Sequence, residues 1–308
     1  MADRIPFRVH AMLATLVRKP FHHAGWVYEE KYDGYRILAY KEGQKVTLLS
    51  RNDKDRTHTY PEIAAAIVSL PARTLLLDGE VVAFDNKRVS RFQLLQRGNK
   101  AVYVVFDCVY ENGNDLRRRP LGERRSAVER AIPNRKLILV SRRLAENGLA
   151  AYEQAKEKGF EGLVAKDASS PYIEGRSTSW LKVKVHQEEE FVIVGCTAPA
   201  GARKHFGALL LGSYKDGSWR YVGKVGTGFS EKTLSTLARK LKPLVRKNPV
   251  LVDPPREKDV TYVEPRLVAQ IAFEEWTADW KLRQPVYLGL RDDKDPRECL
   301  LPQAAGVA

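Results

Sequence analysis

The sequence predicts a two-domain α+β protein, with a first domain at residues 1–187 and a second, smaller β-rich domain at residues 188–308. A chain of 308 residues is long enough for two hydrophobic cores. Strand-like and helix-like runs alternate in the first part, whereas short strand-like runs dominate after the acidic residues 188–190. The acidic run therefore marks the predicted boundary, and a linker there would let the two parts move.

The first domain is predicted from its hydrophobic periodicity. Residues 59–62 (TYPE) have the pattern of a capping box that opens a helix through Leu70. A second helix is expected to end at Gly159, because glycine readily adopts the left-handed conformation that terminates helices. The predicted strands are 26–32, 37–40, 46–49, 74–84, 102–110, 162–165 and 180–185, and the second predicted helix is 150–158.

The second domain combines short strands with a single helix. A KDGS sequence at 215–218 is typical of a hairpin turn. Ser230 is expected to open a helix that runs to about Leu241. The predicted strands are 191–194, 209–214, 219–224 and 267–274. This composition predicts a small closed β-barrel of the oligonucleotide-binding (OB) type.

Charge and composition narrow the class of protein. Lys and Arg number 52 against 38 Asp and Glu, which gives a net charge of +14 and favours a polyanionic partner, with an inert basic surface as the alternative. The isolated residues Cys108, Cys196 and Cys299 argue against a disulfide framework or zinc site. No apolar run reaches ~18 residues, and no secretory signal is recognisable, so we expect a cytoplasmic protein without a membrane span.

Lys31 is the first candidate for chemistry. It opens the pattern KxDGxR, which ends at Arg36. An Asp-Gly pair in a β-rich region is often only a turn. A lysine beside such a turn can instead act as an amine nucleophile, because desolvation and nearby cations can lower its pKa until the neutral amine is populated.

Further short motifs follow this lysine in a fixed order. They lie at residues 31–36, 50–52, 77–80, 103–110, 161–166, 180–184 and 291–294. In this order they resemble the motifs of the ATP-dependent DNA ligases, within the covalent nucleotidyltransferases that also include RNA ligases and mRNA capping enzymes. The resemblance covers residues 12–294, nearly the whole chain. It implies an adenylyltransferase domain of mixed, mainly antiparallel sheets with helices, followed by an OB-fold.

Residues 29–36, 207–212 and 286–291 are most similar to the ligase module of bacterial ligase D, which works in end joining. This similarity implies a monomeric DNA ligase that acts on nicked or broken duplex DNA. ATP and Mg²⁺ or Mn²⁺ would be the cofactors. No sequence similar to the polymerase and phosphoesterase modules is present. We therefore expect such activities, and a Ku-like end-binding protein, on separate chains.

The resemblance also implies roles around the nucleotide. Lys31 would attack the α-phosphorus of ATP, and Glu80 and Glu161 would bind the metal ion, since Mg²⁺ and Mn²⁺ prefer oxygen ligands. Phe106 would stack on adenine, and Glu29 would accept a hydrogen bond from the adenine amino group. As isolated residues, these side chains would more often serve packing or lie on the surface.

The remaining candidates are cationic. Lys182 and Lys184 share one face of a strand-like run and would bind phosphate, together with Lys166 if Gly162 bends the chain. Two other residues, Arg36 and Arg51, would bind ribose or the 5′-phosphate of the DNA break. Near the C-terminus, Arg291 and Lys294 would close over the nucleotide and orient pyrophosphate. Residues 203–205 (RKH) form a basic loop that would contact the DNA backbone or simply be solvated.

Two alternatives remain open at this point. Another enzyme of the same superfamily, an RNA ligase or a guanylyltransferase, would carry the same lysine motif. A non-catalytic nucleic-acid-binding protein would use only the barrel and the positive charge. The presence of Lys31, Glu80, Glu161, Lys182 and Lys184 favours an enzyme.

Overall fold

The structure is a computed structural model that describes residues 5–132, 136–185, 187–199, 205–257 and 259–301. The chain divides into two compact units, Met1–His186 and Gln187–Ala308. Arg203 and Lys204 of the predicted basic loop lie outside the described residues. In the described parts, no helix has the length and apolar character needed to span a membrane.

The first unit contains two β-sheets and four α-helices in its described residues. In chain order the elements are β1 (Met12–Val17), β2 (Trp26–Glu30), β3 (Tyr35–Glu42), β4 (Lys45–Ser50), α1 (Pro61–Val68), β5 (Thr74–Val82), α2 (Phe92–Gln96), β6 (Val102–Glu111), β7 (Asn114–Asp115), α3 (Leu121–Ala131), β8 (Ile138–Val140), α4 (Gly148–Lys158), β9 (Gly162–Asp167) and β10 (Gly175–Lys184).

The two sheets are mainly antiparallel. The four-stranded sheet has the order β1-β10-β9-β2, in which only the β1–β10 pair is parallel. The six-stranded sheet has the order β4-β3-β5-β6-β7, and β8 pairs with β6 in parallel. Apolar residues of α1 and α3, such as Ile63, Ile67 and Val128, pack against the second sheet. The predicted α+β class is confirmed.

Two helix predictions for this unit have different outcomes. The helix that ends at Gly159 is confirmed, and this glycine is left-handed with φ of 70°. The capping box at 59–62 is wrong, because Tyr60 occupies the N-cap of α1 and its side chain makes no capping hydrogen bond. Proline at the first helical position opens this helix instead, since its fixed φ suits the first turn.

Strand β2 ends two residues earlier than predicted. Lys31, which follows it, donates its backbone N–H to the Gly162 carbonyl at 3.0 Å. Asp33 donates its N–H to the Ser90 hydroxyl at 3.0 Å and therefore lies outside the sheet ladder. A Cβ on Gly34 would lie 2.1 Å from the Val81 carbonyl oxygen, so only glycine fits there. The chain thus leaves one sheet at Lys31 and enters the other at Tyr35.

The second unit is built on one antiparallel sheet. Its elements are β11 (Glu188–Thr197), β12 (Leu209–Lys215), β13 (Ser218–Val225), α5 (Glu231–Leu241), a 3-10 turn (Lys242–Leu244), β14 (Val245–Arg246), β15 (Val260–Ala272), β16 (Val286–Arg291) and a second 3-10 turn (Pro296–Glu298). The strand order is β13-β12-β11-β15-β14, and β16 also pairs with β15. An antiparallel sheet with one α-helix among the described residues is the composition predicted for the OB-type unit.

Helix α5 closes the core of this unit. The Ser230 hydroxyl caps it as predicted, by accepting from the Thr233 N–H. Its buried face consists of Leu234, Leu237 and Leu241, which pack with residues from the sheet. The acidic residues 188–190 differ from expectation. They are the first residues of β11 and pair with β15, so they belong to the sheet.

We predict that Gly162→Ala destabilises the first unit by about 1–3 kcal/mol, because overpacking a close backbone contact forces the strands apart. A Cβ at this position would lie 2.1 Å from the Val183 carbonyl oxygen of β10. The matched control is Gly122→Ala in α3, where the nearest atom would be 3.9 Å away. Thermal unfolding should separate the two variants, and equal midpoints would contradict the close approach.

Candidate active site

Lys31 lies where β2 ends and contacts the carboxylate of Glu161, the residue just before β9. The Lys31 side chain is 19% exposed and that of Glu161 is 9% exposed. Burial lowers the pKa of Lys31, but Glu161, Asp33 and Glu80 together hold that pKa above its usual value. The expectation of a lowered lysine pKa is therefore wrong for this structure, because three carboxylates act on the ammonium group.

Lys166 of β9 is a buried lysine in the same sheet. Lys166 Nζ lies 2.7 Å from Glu29 Oε2, and each side chain is 2% exposed. The antiparallel pairing of β2 with β9 brings the two strands together, with Glu29 opposite Val164. Burial lowers the pKa of Lys166 despite the opposing effect of Glu29. Burial raises the pKa of Glu29, but Lys166 and Arg125 hold it below its usual value.

The predicted bend at Gly162 is not required to bring Glu161 and Lys166 to one region. Glu161 precedes β9, so the alternation of side chains along a strand does not govern its direction. Glu161 contacts Lys31, and Lys166 contacts Glu29, two residues before Lys31. The structure therefore places four of the predicted site residues along the paired strands β2 and β9, in two ion pairs.

Phe106 contacts both Lys166 and Arg36. The Arg36 guanidinium carbon lies 4.5 Å from the centre of the Phe106 ring, and Lys166 Nζ lies 4.6 Å from it. Phe106 is 8% exposed and belongs to an apolar cluster with Trp180. Arg36 binds Asp78 through Nε at 2.5 Å and Nη2 at 2.7 Å. Arg36 is thus held by a protein carboxylate and by the predicted adenine-stacking ring.

Glu80 and Glu161 are the predicted metal ligands. Glu80 lies on β5 opposite Arg36 of β3, and both glutamates act on the charge of Lys31. Among the described residues, no group of three or more His, Cys, Asp or Glu side chains gathers at one point. Mg²⁺ bound with nucleotide phosphates commonly takes only one or two protein carboxylates. Two carboxylates beside the candidate nucleophile therefore fit such an ion.

Lys182 and Lys184 lie on β10, on either side of Val183. Val183 is 1% exposed and packs in the core, whereas the two lysines are partly exposed. The predicted alternation along this strand is confirmed, so the two ammonium groups share a face. Arg51 directly follows β4 and is also partly exposed.

Arg291 and Lys294 belong to the second unit. Arg291 is the last residue of β16, is 7% exposed and binds Asp293 with two hydrogen bonds of 2.9 Å. Its Nη1 also donates to Gln270 at 3.3 Å. Lys294 Nζ lies 3.4 Å from Glu190 of β11. The mixed-charge segment therefore forms a packed ion-pair network, within itself and with Glu190 of β11.

Sequence reasoning missed several residues that hold these side chains in place. Asp78 lies inside the motif at 77–80, where it binds Arg36 and accepts from the Tyr172 hydroxyl at 2.6 Å. Arg125 and Ser141 hold Glu29 and lie outside every motif. The usable signal for Asp78 was its position in a largely apolar strand, where a buried carboxylate needs a partner.

This arrangement defines a class of protein. In the first unit, Lys31 follows β2 and is surrounded by carboxylates. Strand β10 of the same sheet carries two further lysines. The second unit has, among its described residues, the strands and single α-helix expected of an OB-type domain. These features fit the class of nucleotidyltransferase that the order of the sequence motifs resembles. Comparison with known proteins identifies the family.

The family described as ATP dependent DNA ligase domain matches residues 11–184, and the ATP dependent DNA ligase C terminal region matches residues 202–294. The chain is 38% identical to the multifunctional non-homologous end joining protein LigD of Pseudomonas aeruginosa, over 96% of this chain and 36% of that protein. The chain thus spans about a third of that relative. A DNA ligase of Thermococcus fumicolans is 33% identical over 88% of this chain and 52% of that protein.

Solved structures agree with these matches. The structure of mycobacterial DNA ligase D complexed with ATP and MES has a TM-score of 0.72 and 32% identity, and the match covers 97% of this chain and 100% of that chain. A second match, the ligase domain of LigD from M. tuberculosis, has a TM-score of 0.54. The chain belongs to the ATP-dependent DNA ligase family, a family of enzymes that use ATP.

We predict that Asp78→Asn lowers the free energy of unfolding by about 3 kcal/mol, because it leaves Arg36 without its buried counter-charge. Asp78 is 0% exposed, and Arg36 is 18% exposed. Asp115→Asn is the matched control, since Asp115 also forms a forked pair with Arg117 but is 43% exposed. The control should lose less than about 1 kcal/mol. If denaturant unfolding gives the same loss of free energy for both variants, the buried Asp78 pair contributes no more than the exposed pair.

Proposed function

We propose that this chain seals breaks in duplex DNA in three steps. Lys31 attacks the α-phosphorus of ATP, and pyrophosphate leaves. The AMP then passes from Lys31 to the 5′-phosphate at the break. The 3′-hydroxyl of the neighbouring strand finally displaces AMP and closes the backbone.

The observation that carries this proposal is the contact between Lys31 and Glu161, at the meeting point of β2 and β9. An amine is nucleophilic only when neutral, and the carboxylates around Lys31 favour its protonated form. A cation bound to those carboxylates would offset their negative charge, so they would no longer favour the protonated form of Lys31. Glu80 and Glu161 would hold Mg²⁺ or Mn²⁺, which offsets charge on the transferring phosphoryl group.

Base selection is assigned to Glu29 and Phe106. Glu29 is buried and its pKa is held below the usual value, so it stays an ionised acceptor at neutral pH. A carboxylate only accepts hydrogen bonds, which suits the amino group of adenine and not the carbonyl oxygen of guanine. Phe106 would stack on the base when the Arg36 and Lys166 side chains yield one face of the ring.

The remaining cations serve phosphate groups. Lys182, Lys184 and Lys166 would bind phosphates of the nucleotide, and Arg36 and Arg51 would bind ribose or the 5′-phosphate of DNA. Arg291 and Lys294 of the second unit, an OB-fold domain that would begin near residue 188, would orient pyrophosphate during the first step. The net charge of +14 supports contact with the DNA backbone.

The relatives named for non-homologous end joining support a role in repair of broken DNA. Such a role would bring in a Ku-like end-binding protein and polymerase and phosphoesterase activities. Ligation assays on nicked, cohesive and blunt DNA, and on a nick with RNA strands, would establish the substrate. Efficient sealing only of RNA would favour an RNA ligase.

We predict that Lys31→Ala abolishes the covalent, acid-labile AMP adduct, because the variant lacks the attacking amine. The assay is incubation with α-labelled ATP followed by a denaturing gel, with labelled GTP in a parallel reaction. Lys45→Ala, at an exposed position of β4, is the control and should keep the adduct. An adduct that persists on the Lys31→Ala variant would refute the assignment.

A further prediction concerns the second unit. Lys294→Ala should reduce self-adenylation at least tenfold but largely spare closure of a pre-adenylated nick, because pyrophosphate is absent from that later step. Lys294 is preferable to Arg291 as a probe, since Arg291 is buried against Asp293 and its loss would also destabilise the sheet. Equal damage to adenylation and to nick closure would contradict the division of labour.

A further inference from the structure

Arg125 of α3 is a buried arginine that belongs to none of the ligase motifs. It is 4% exposed, and its Nη1 contacts Glu29 Oε1. The same Nη1 donates to the Ser141 hydroxyl at 2.7 Å, and Nη2 donates to the Ser141 carbonyl at 2.5 Å. Its Nε lies 3.3 Å from Glu129, four residues along the helix. These contacts use four of the five guanidinium N–H donors.

Ser141 completes the contact between α3 and β2. Its hydroxyl accepts from Arg125 and donates to Glu29 Oε2 at 2.8 Å. Lys166 donates to the same Oε2 at 2.7 Å. Oε2 therefore already accepts two hydrogen bonds, whereas Oε1 contacts only Arg125 among these partners. A carboxylate oxygen has about two acceptor positions, so Oε1 is the atom with capacity for one further donor.

We propose that Arg125, together with Ser141, is a positioning residue for base selection, which fixes the Glu29 carboxylate so that Oε1 faces the amino group of adenine. The inference rests on the proposed base-reading role of Glu29. Arg125 acts through Glu29 and needs no contact with the nucleotide. A planar guanidinium suits this role, because its rigid fork fixes both direction and distance in a way that a lysine ammonium does not.

Fixing the carboxylate matters because discrimination depends on its orientation. A held Glu29 cannot rotate away from the oxygen of guanine, so the wrong base leaves a buried acceptor facing another acceptor. Without Arg125, the carboxylate would keep Lys166 and one hydroxyl contact but would rotate about them. The preference for ATP over GTP should then fall while the chemistry at Lys31 continues.

The test compares rates of self-adenylation with ATP and with GTP for the full chain and its variants. Arg125→Met removes the fork, Arg125→Lys keeps only the charge, and Ser141→Ala removes the bridging hydroxyl with little change in volume. Glu129→Gln is the matched control, since Glu129 touches the same guanidinium but is 53% exposed. Thermal unfolding of each variant separates loss of stability from loss of selection.

We expect Arg125→Met to lower the ATP-to-GTP ratio about ten- to a hundredfold. Arg125→Lys should give an intermediate ratio, Ser141→Ala a smaller decrease, and Glu129→Gln no change. In a Glu29→Gln background, Arg125→Met should cause no further decrease, because its effect passes through that carboxylate. If Arg125→Met does not fold, Ser141→Ala and Arg125→Lys test the same claim.

Three results would overturn the inference. One is an unchanged ratio in the Arg125 and Ser141 variants while Glu29→Gln lowers it, which would leave Glu29 as the base reader without Arg125. A second is that Arg125→Met lowers the ATP-to-GTP ratio by the same factor in the unmodified chain and in the Glu29→Gln background. An unchanged ratio in every variant, Glu29→Gln included, would instead refute base reading by Glu29 and the inference with it. Failure of the unmodified chain to form any adduct would refute the proposed function itself.

Discussion

The contact between Lys31 and Glu161 is the interaction on which the arrangement of the site depends. It forms because β2 ends at Glu30 and β9 begins at Gly162, so the pairing of these strands brings two distant segments of the chain together. A buried ammonium is costly without a counter-charge, and Glu161 supplies it. The candidate nucleophile therefore lies beside a carboxylate that raises its pKa and that would also serve a cation.

The same principle organises the surrounding side chains. Lys166 is neutralised by Glu29, Arg36 by Asp78, and Arg124 by Asp107, whose side chains are all buried or nearly so. Buried ion pairs of this kind add little net stability, but removal of one partner leaves the other charge buried and uncompensated. The short distances and forked geometry of these ion pairs fix the orientation of the paired side chains. The first unit thus uses ion pairs to orient the groups that would meet the nucleotide, and Arg291 with Asp293 does the same in the second unit.

Periodicity predicted most strands and the helices that end at Gly159 and begin at Ser230, because those segments bury one face. The motifs indicated Lys31 and Glu161 as site residues, and the structure brings these two side chains into contact, while their roles stay predictions. Sequence could not predict Arg125, because an arginine-rich helix has the pattern of a solvated surface. Its burial is matched by pairing with the Glu29 carboxylate of β2 and with the hydroxyl of Ser141, which follows β8. The acidic start of β11 has the pattern of a linker for the same reason, since its partners, Gln270 and Lys294, lie far along the chain.

Lys31 and Lys166 are two lysines of the predicted site, and each lies against a glutamate. Carboxylates raise the pKa of Lys31, whereas burial lowers that of Lys166. Mass-spectrometric mapping of the unmodified chain after incubation with ATP and Mg²⁺ distinguishes them directly. We predict an adenylyl group on the peptide that contains Lys31 and none on the peptide that contains Lys166. An adenylyl group on Lys166, or on any residue other than Lys31, would contradict the account.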